Sequence, residues 1–233
     1  MKKLFPLILA LSFFGCTELQ QVVNQLPQSG PLGNAEIAQG LTQALDLGIK
    51  KQVSKLSKEN GFFSNDLVKI VLPEELRKVD NTLRDIGLGK LADEGLKILN
   101  KAAEDAVGEA TPIFVDAVKN ITFDDAKKIL LGEATAATTY LQNTTETPLY
   151  AKFNPVIEKS FKKVGADKIW NNLILKYNNL PFTKKVNPDL TDYVTQEALD
   201  GVYTMIAVEE KEIRAKASSR TTALLKRVFA LQD

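Results

Sequence analysis

Apolar residues recur every three or four positions along most of this chain, and that spacing predicts one amphipathic helix after another. Ile37, Leu41, Leu45, Gly48, Gln52 and Leu56 share a helical face, widened by Ile49 and Val53. Asn34 is placed to cap its start, and Asn60-Gly61 to stop it. The rhythm then changes. Val68, Ile70 and Leu72 alternate with Lys69 and Val71, which predicts an irregular or strand-like extended segment near 66–72 before Pro73.

Helical spacing returns after Pro73, which suits a first turn. Leu76, Val79, Leu83 and Ile86 form a stripe ended by Gly87. A helix from about Lys90 carries Leu91, Leu96 and Leu99, then an alanine face of Ala102, Ala103, Ala106 and Ala110. Pro112 kinks or restarts it before Ile113, Phe114 and Val118. Thr122 and Asp125 form a capping box for the next helix, closed by Gly132. A helix from Ala134 to about Asn143 follows. Thr147-Pro148 reads as a new helix start, Pro155 as a bend and Gly165 as a stop. Further helices are expected over Asp167–Asn178, about Thr191–Lys216 and about Ser219–Leu231, with a proline-rich loop over Asn179–Asp189. No repeat has a fixed period, and no strands alternate with helices. The expected fold is all-α, a bundle of about eight to ten helices forming a single domain over residues 36–233.

The N-terminus breaks the amphipathic pattern. Lys2 and Lys3 precede an apolar run from Leu4 to Phe14, too short to span a bilayer and suited to a signal peptide over residues 1–15. The run ends in Gly15-Cys16, a small residue before cysteine, and this resembles the bacterial lipobox. Phe13 and Phe14 stand where that box usually has leucine and a small residue. The resemblance implies a lipid on Cys16, the only cysteine in the chain. Acyl chains hold a soluble domain on a membrane at about 0.8 kcal/mol per buried CH₂. Residues 16–35, rich in Gln, Pro, Gly, Ser and Asn, read as a lipidated tether reaching roughly 25 Å as a random coil. Thr17, where aspartate would resemble an inner-membrane retention signal, points to the outer membrane, and the absence of a nearby acidic pair points to its periplasmic side.

Composition narrows the chemistry. The 233 residues contain no histidine, which excludes Ser-His-Asp and Cys-His catalysis and histidine-ligated metals. One cysteine makes no internal disulfide and no redox pair. Lys+Arg 30 against Asp+Glu 29 gives a net charge of +1, without the basic excess that nucleic acid requires. No nucleic-acid partner and no cofactor is expected.

Several constellations remain as candidate sites. Glu210 and Arg214, four apart, share a helix face, and Arg220 begins the next helix and can fold back on them. This polar cluster reads either as an anion-recognising site or, the better reading, as a salt-bridged helix corner. Glu104 and Asp116, with Glu109, Asp124 and Asp125 nearby in sequence, are candidate acids for glycosidase-type chemistry, weighed against solvated or capping roles. Lys50, Lys51, Lys55 and Lys58 give the first helix a basic face, for anionic headgroups or for solvent. Trp170, Tyr177, Phe182 and Tyr193 cluster around the proline loop, as a pocket mouth or as core. Gly87-Leu88-Gly89-Lys90 lacks the spacing of a phosphate loop.

One resemblance covers nearly the whole helical region, from about Gly40 to Phe229. Its carriers are Leu72-Pro73-Glu74, Asn100-Lys101-Ala102-Ala103-Glu104, Pro112-Ile113-Phe114, Thr122 with Asp125-Ala126, Ile129-Leu130 and Ala136-Ala137-Thr138-Thr139-Tyr140. Asp192-Tyr193-Val194, Ala198-Leu199-Asp200-Gly201, Glu210 with Ile213-Arg214, and Arg220-Thr221-Thr222 complete them. The chain resembles the bacterial family domain of unknown function 4197, with Lys101 in place of an expected arginine. The resemblance implies an exported helical domain and brings no catalytic residues or substrate with it. The sequence therefore points to an outer-membrane lipoprotein facing the periplasm, held through Cys16. Its domain is expected to be a non-enzymatic binding or interaction module, for an envelope protein or an apolar ligand. The alternative is a histidine-free, carboxylate-dependent hydrolase or lyase acting on cell-envelope glycan.

Overall fold

A computed structural model describes residues 32–73, 89–165 and 189–232, with positions 77, 81, 84, 85, 175, 179 and 185 between them. The leader, Cys16 and tether residues 16–31 lie outside the described residues, as do most positions of the helices expected over 73–87 and 167–178, together with Trp170, Tyr177 and Phe182, while Asn34 and Ala35, read as the end of the tether, already belong to the first helix.

Seven α-helices are present among the described residues, and no strand. They are α1 (Asn34–Leu56), α2 (Gly89–Val107), α3 (Thr111–Lys119), α4 (Phe123–Leu130), α5 (Ala136–Val164), α6 (Leu190–Ala215) and α7 (Ala223–Phe229). Single 3-10 turns at Ala217–Ser219 and Ala230–Gln232 flank α7. The all-α class is as expected, and the count is slightly below the eight to ten read from sequence. Part of the difference is α5, where two expected helices are one.

That long helix runs straight through both proline signals. Leu141, Thr145, Leu149, Phe153, Ile157 and Phe161 are all buried, each four residues after the last, while Pro148 and Pro155 lie on exposed positions. An interior proline costs about 3 kcal/mol. Burying five apolar side chains at about 1.5–3 kcal/mol each exceeds the cost of two. At 3.6 residues per turn, a step of four advances about 40° around the axis. The stripe therefore turns as it climbs, and α5 packs on α2, α3, α4 and α6. Gly165, in the left-handed conformation at φ 69°, ends it where expected.

The core is one contiguous cluster drawn from all seven helices. The α1 helix packs on α3, α4, α6 and α7, and the α6 helix on α1, α2 and α5. Phe114 and Tyr203 meet edge to face at 6.0 Å and 87° across the α3 and α6 layers. Two glycines permit close approach. A Cβ on Gly40 would lie 2.6 Å from Val228 Cγ2, and one on Gly201 would lie 2.7 Å from Phe62 Cε1.

Local capping follows chemistry more than position. At α4 the expected box forms: Asp125 N–H donates to Thr122 Oγ1 at 3.2 Å, and Thr122 N–H to Asp125 Oδ2 at 3.3 Å. At α1 the cap residue is Gly33 rather than Asn34, and the Glu36 carboxylate accepts from Gly33 N–H at 2.9 Å. The segment after α1 is turn over 66–68 and irregular over 69–72, not strand. The expected alternation survives as burial, since Val68 and Ile70 are buried and Val71 is exposed.

Candidate functional site

The polar cluster predicted from Glu210, Arg214 and Arg220 sits where three helix ends meet. Both Glu210 oxygens point at the start of α5. Oε1 accepts from Ala137 N–H at 2.9 Å, and Oε2 from Thr138 N–H and Thr138 Oγ1 at 2.8 Å each. Arg214 binds the same Oε1 through Nε at 3.0 Å and Nη2 at 2.8 Å. Its guanidinium also donates to Leu130 O at 3.0 Å and Ile129 O at 2.8 Å, the carbonyls that end α4. Arg220 folds back to donate to Ile213 O at 3.1 Å and Arg214 O at 2.9 Å, at the end of α6. A carboxylate thus meets a positive helix end, and two guanidinium groups meet negative ones. All three residues are among the buried charged positions or border them. The geometry is that of a helix corner, and every acceptor of Glu210 is already served.

A second set of buried polar groups lies on α2. Asn100 is fully buried, and its side chain handles Ile70 as a neighbouring strand would. Asn100 Oδ1 accepts from Ile70 N–H at 2.9 Å, and Nδ2 donates to Ile70 O and Leu96 O at 2.8 Å each. One turn later Glu104, 2% exposed, accepts from Phe62 N–H at 3.3 Å. Burial pushes its carboxyl above the ordinary glutamate value, only partly opposed by the backbone donors of Phe62 and Asn60 and by Lys101. Together the two residues staple the irregular 60–72 segment to α2. Neither role is visible from spacing alone. The available signal was a polar residue at i and i+4 on an otherwise alanine-lined face.

Glu104 also lines an open cleft of about 410 Å³ with Glu59, Phe63, Lys97, Lys101, Asp105 and Lys163. Asp105 is engaged there, holding Lys101 at 2.5 Å and accepting from Ser160 Oγ at 3.4 Å. The hydrogen bond to Asp105 raises the Lys101 pKa. Asp116, the other candidate acid, lines a different cleft of about 410 Å³ between α3 and α5. The structure does not bring the two candidate acids together, and paired-carboxylate hydrolysis needs both across one bond. Among the described residues, no three Asp, Glu, His or Cys side chains gather as a metal site.

Of the first helix's basic face, Lys50 pairs with Asp46 and Lys51 with Glu209, each at 2.8 Å. Tyr193 donates from its hydroxyl to Val71 O at 2.8 Å. Between α1 and α6 lies an apolar pocket of about 20 Å³, room for one water. No helix among the described residues is long and apolar enough to cross a membrane.

Residues 31–230 match the model of one family, described as protein of unknown function, DUF4197. No curated protein and no solved structure matches the chain.

Proposed function

The chain belongs to the DUF4197 family, and we propose that it serves as an outer-membrane lipoprotein whose helical domain faces the periplasm and binds a protein partner rather than transforming a substrate. The observation that carries the non-enzymatic reading is the saturation of Glu210, Arg214 and Arg220. Their hydrogen bonds go to helix ends, so this buried acid–base cluster is spent on the fold. The two clefts of about 410 Å³ are open to solvent and the pocket between α1 and α6 has room for one water, which favours a protein docked on the surface over an enclosed acyl chain. The anchoring half of the reading rests on Gly15-Cys16 behind its apolar run.

Cys16→Ser should release the protein from membranes and end its labelling by radioactive palmitate. Continued membrane fractionation with unchanged labelling would refute the anchor. Glu104 keeps a second reading in play, because a buried carboxyl with a raised pKa beside a cleft suits a general acid on envelope glycan. Incubating the purified domain with a panel of cell-wall glycans decides between the two. Turnover that Glu104→Gln abolishes supports the hydrolase, and an inert unmodified domain removes it.

A further inference from the structure

The cleft between α3 and α5 contains polar groups that the fold leaves without work. Its walls are two helical rows at four-residue spacing. Pro112, Asp116 and Asn120 form one, and Tyr140, Thr144 and Pro148 the other. Thr145 closes the floor, with its hydroxyl shared with Tyr203 at 2.8 Å. Thr144 turns its hydroxyl back to Tyr140 O at 2.8 Å. The side chains of Asp116, Asn120 and Tyr140 are different. None of the three makes a hydrogen bond or ion pair with a described residue.

Their chemistry defines a complement. Asp116 is an acceptor carrying a negative charge, and Asn120 offers a carbonyl beside it on the same face. Tyr140 is partly buried, and burial, with the charge of Asp125 second, keeps its phenol protonated above the ordinary value of 10.0. It is therefore a donor seeking an acceptor. Ile113 and Ala117 supply apolar wall between the polar groups. Lys119 lies three residues from Asp116 without pairing with it. The cleft, about 410 Å³ and open to solvent, has room for a long side chain.

We propose that this cleft docks an arginine side chain of an envelope protein, its guanidinium on Asp116 and Asn120, its stem along Ile113 and Ala117, and a flanking peptide carbonyl on the Tyr140 hydroxyl. Arginine fits better than lysine because its planar fork donates to two acceptors at once, while its methylene stem covers apolar wall. The assignment rests on the protein-binding reading above and gives that reading a residue-level contact.

The test uses the mature chain made soluble by Cys16→Ser. Titration with acetyl-Leu-Arg-Leu-amide should give saturable binding, with amide shifts confined to residues 112–120 and 140–148. The citrulline analogue, neutral and equal in shape, should bind about tenfold or more weakly, and Asp116→Asn should cost a similar factor. Asp116 is exposed, so this variant should keep its thermal midpoint. Equal affinity of Asp116→Asn and the unmodified chain overturns the proposal. So does a shift map elsewhere, or binding of N-acetyl-arginine-amide as tight as the tripeptide, which would indicate a small amine ligand. If no peptide saturates while the domain stays inert on glycan, the cleft assignment alone fails. Glycan turnover instead removes the reading beneath it.

Discussion

Glu210 and Arg214, one turn apart on α6, divide two helix ends between them. The carboxylate takes the amides of Ala137 and Thr138 that begin α5, and the guanidinium takes the carbonyls of Ile129 and Leu130 that end α4. Each half of the pair is buried, so neither can fall back on water if the other is removed. Arg214→Met should cost roughly 3–5 kcal/mol of stability, because it takes the counter-charge from a buried carboxylate and the donors from two carbonyls. Glu210→Leu combined with Arg214→Met should cost less than the sum of the single changes. Urea midpoints for the four proteins measure this, and additive losses would show that the two side chains act independently.

Asn100 supplies what a β-ladder would have supplied to Ile70. Asn100→Ala strands a buried N–H and a buried C=O, at about 1–3 kcal/mol each. Asn100→Asp keeps the shape and the acceptor but turns a donor into a charge facing Ile70 O and Leu96 O, so it should be no better tolerated. Hydrogen exchange gives a local readout. The Ile70 amide should lose protection in Asn100→Ala before the amides of α5 do.

Two helical glycines should respond oppositely to the same change. Gly201→Ala gains helix propensity of about 1 kcal/mol but drives a methyl into the buried ring of Phe62, and overpacking of this kind costs about 1–3 kcal/mol. Gly95 is exposed, with nothing within 4 Å of its missing Cβ. Gly95→Ala should therefore stabilise by up to about 1 kcal/mol, while Gly201→Ala lowers the thermal midpoint. A rise for both would mean that α6 can shift away from Phe62.

Glu104 makes stability depend on pH. Its folded pKa is raised above the ordinary 4.5, so the folded state holds its proton more tightly than the unfolded state. The burden of its buried charge is absent below the unfolded pKa. It grows as pH rises through the folded value, and stability falls with it. Glu104→Gln keeps an acceptor for Phe62 N–H and has no charge to bury. The variant should match the unmodified chain in acid and exceed it near neutrality. Urea unfolding of both proteins across that range tests the sign, and a gap that opens instead toward acid would reverse it.

Much of this architecture is legible residue by residue. The Thr122–Asp125 box, the Gly165 stop and the stripe from Ile37 to Leu56 are local signals, each sufficient because its partners lie within a turn or two. Thr147-Pro148 is equally local and misleads, because the stripe from Leu141 to Phe161 crosses it. Long-range burial outweighs a short-range break there. The strand-like alternation of Val68 and Ile70 is a true statement about which side chains are buried. It does not reveal that the backbone partner of Ile70 is the Asn100 side chain.

The sequence by itself determined the all-α class, most helix ends, and the pairing of Glu210 with Arg214, since each depends on residues three or four apart. Tertiary structure alone decided what that pair holds, that Glu104 and Asp116 face separate clefts, and that Asp116, Asn120 and Tyr140 line one cleft without side-chain partners among the described residues. Those facts depend on which helix lies beside which. Packing of the whole core sets that arrangement, and no local spacing along the chain encodes it.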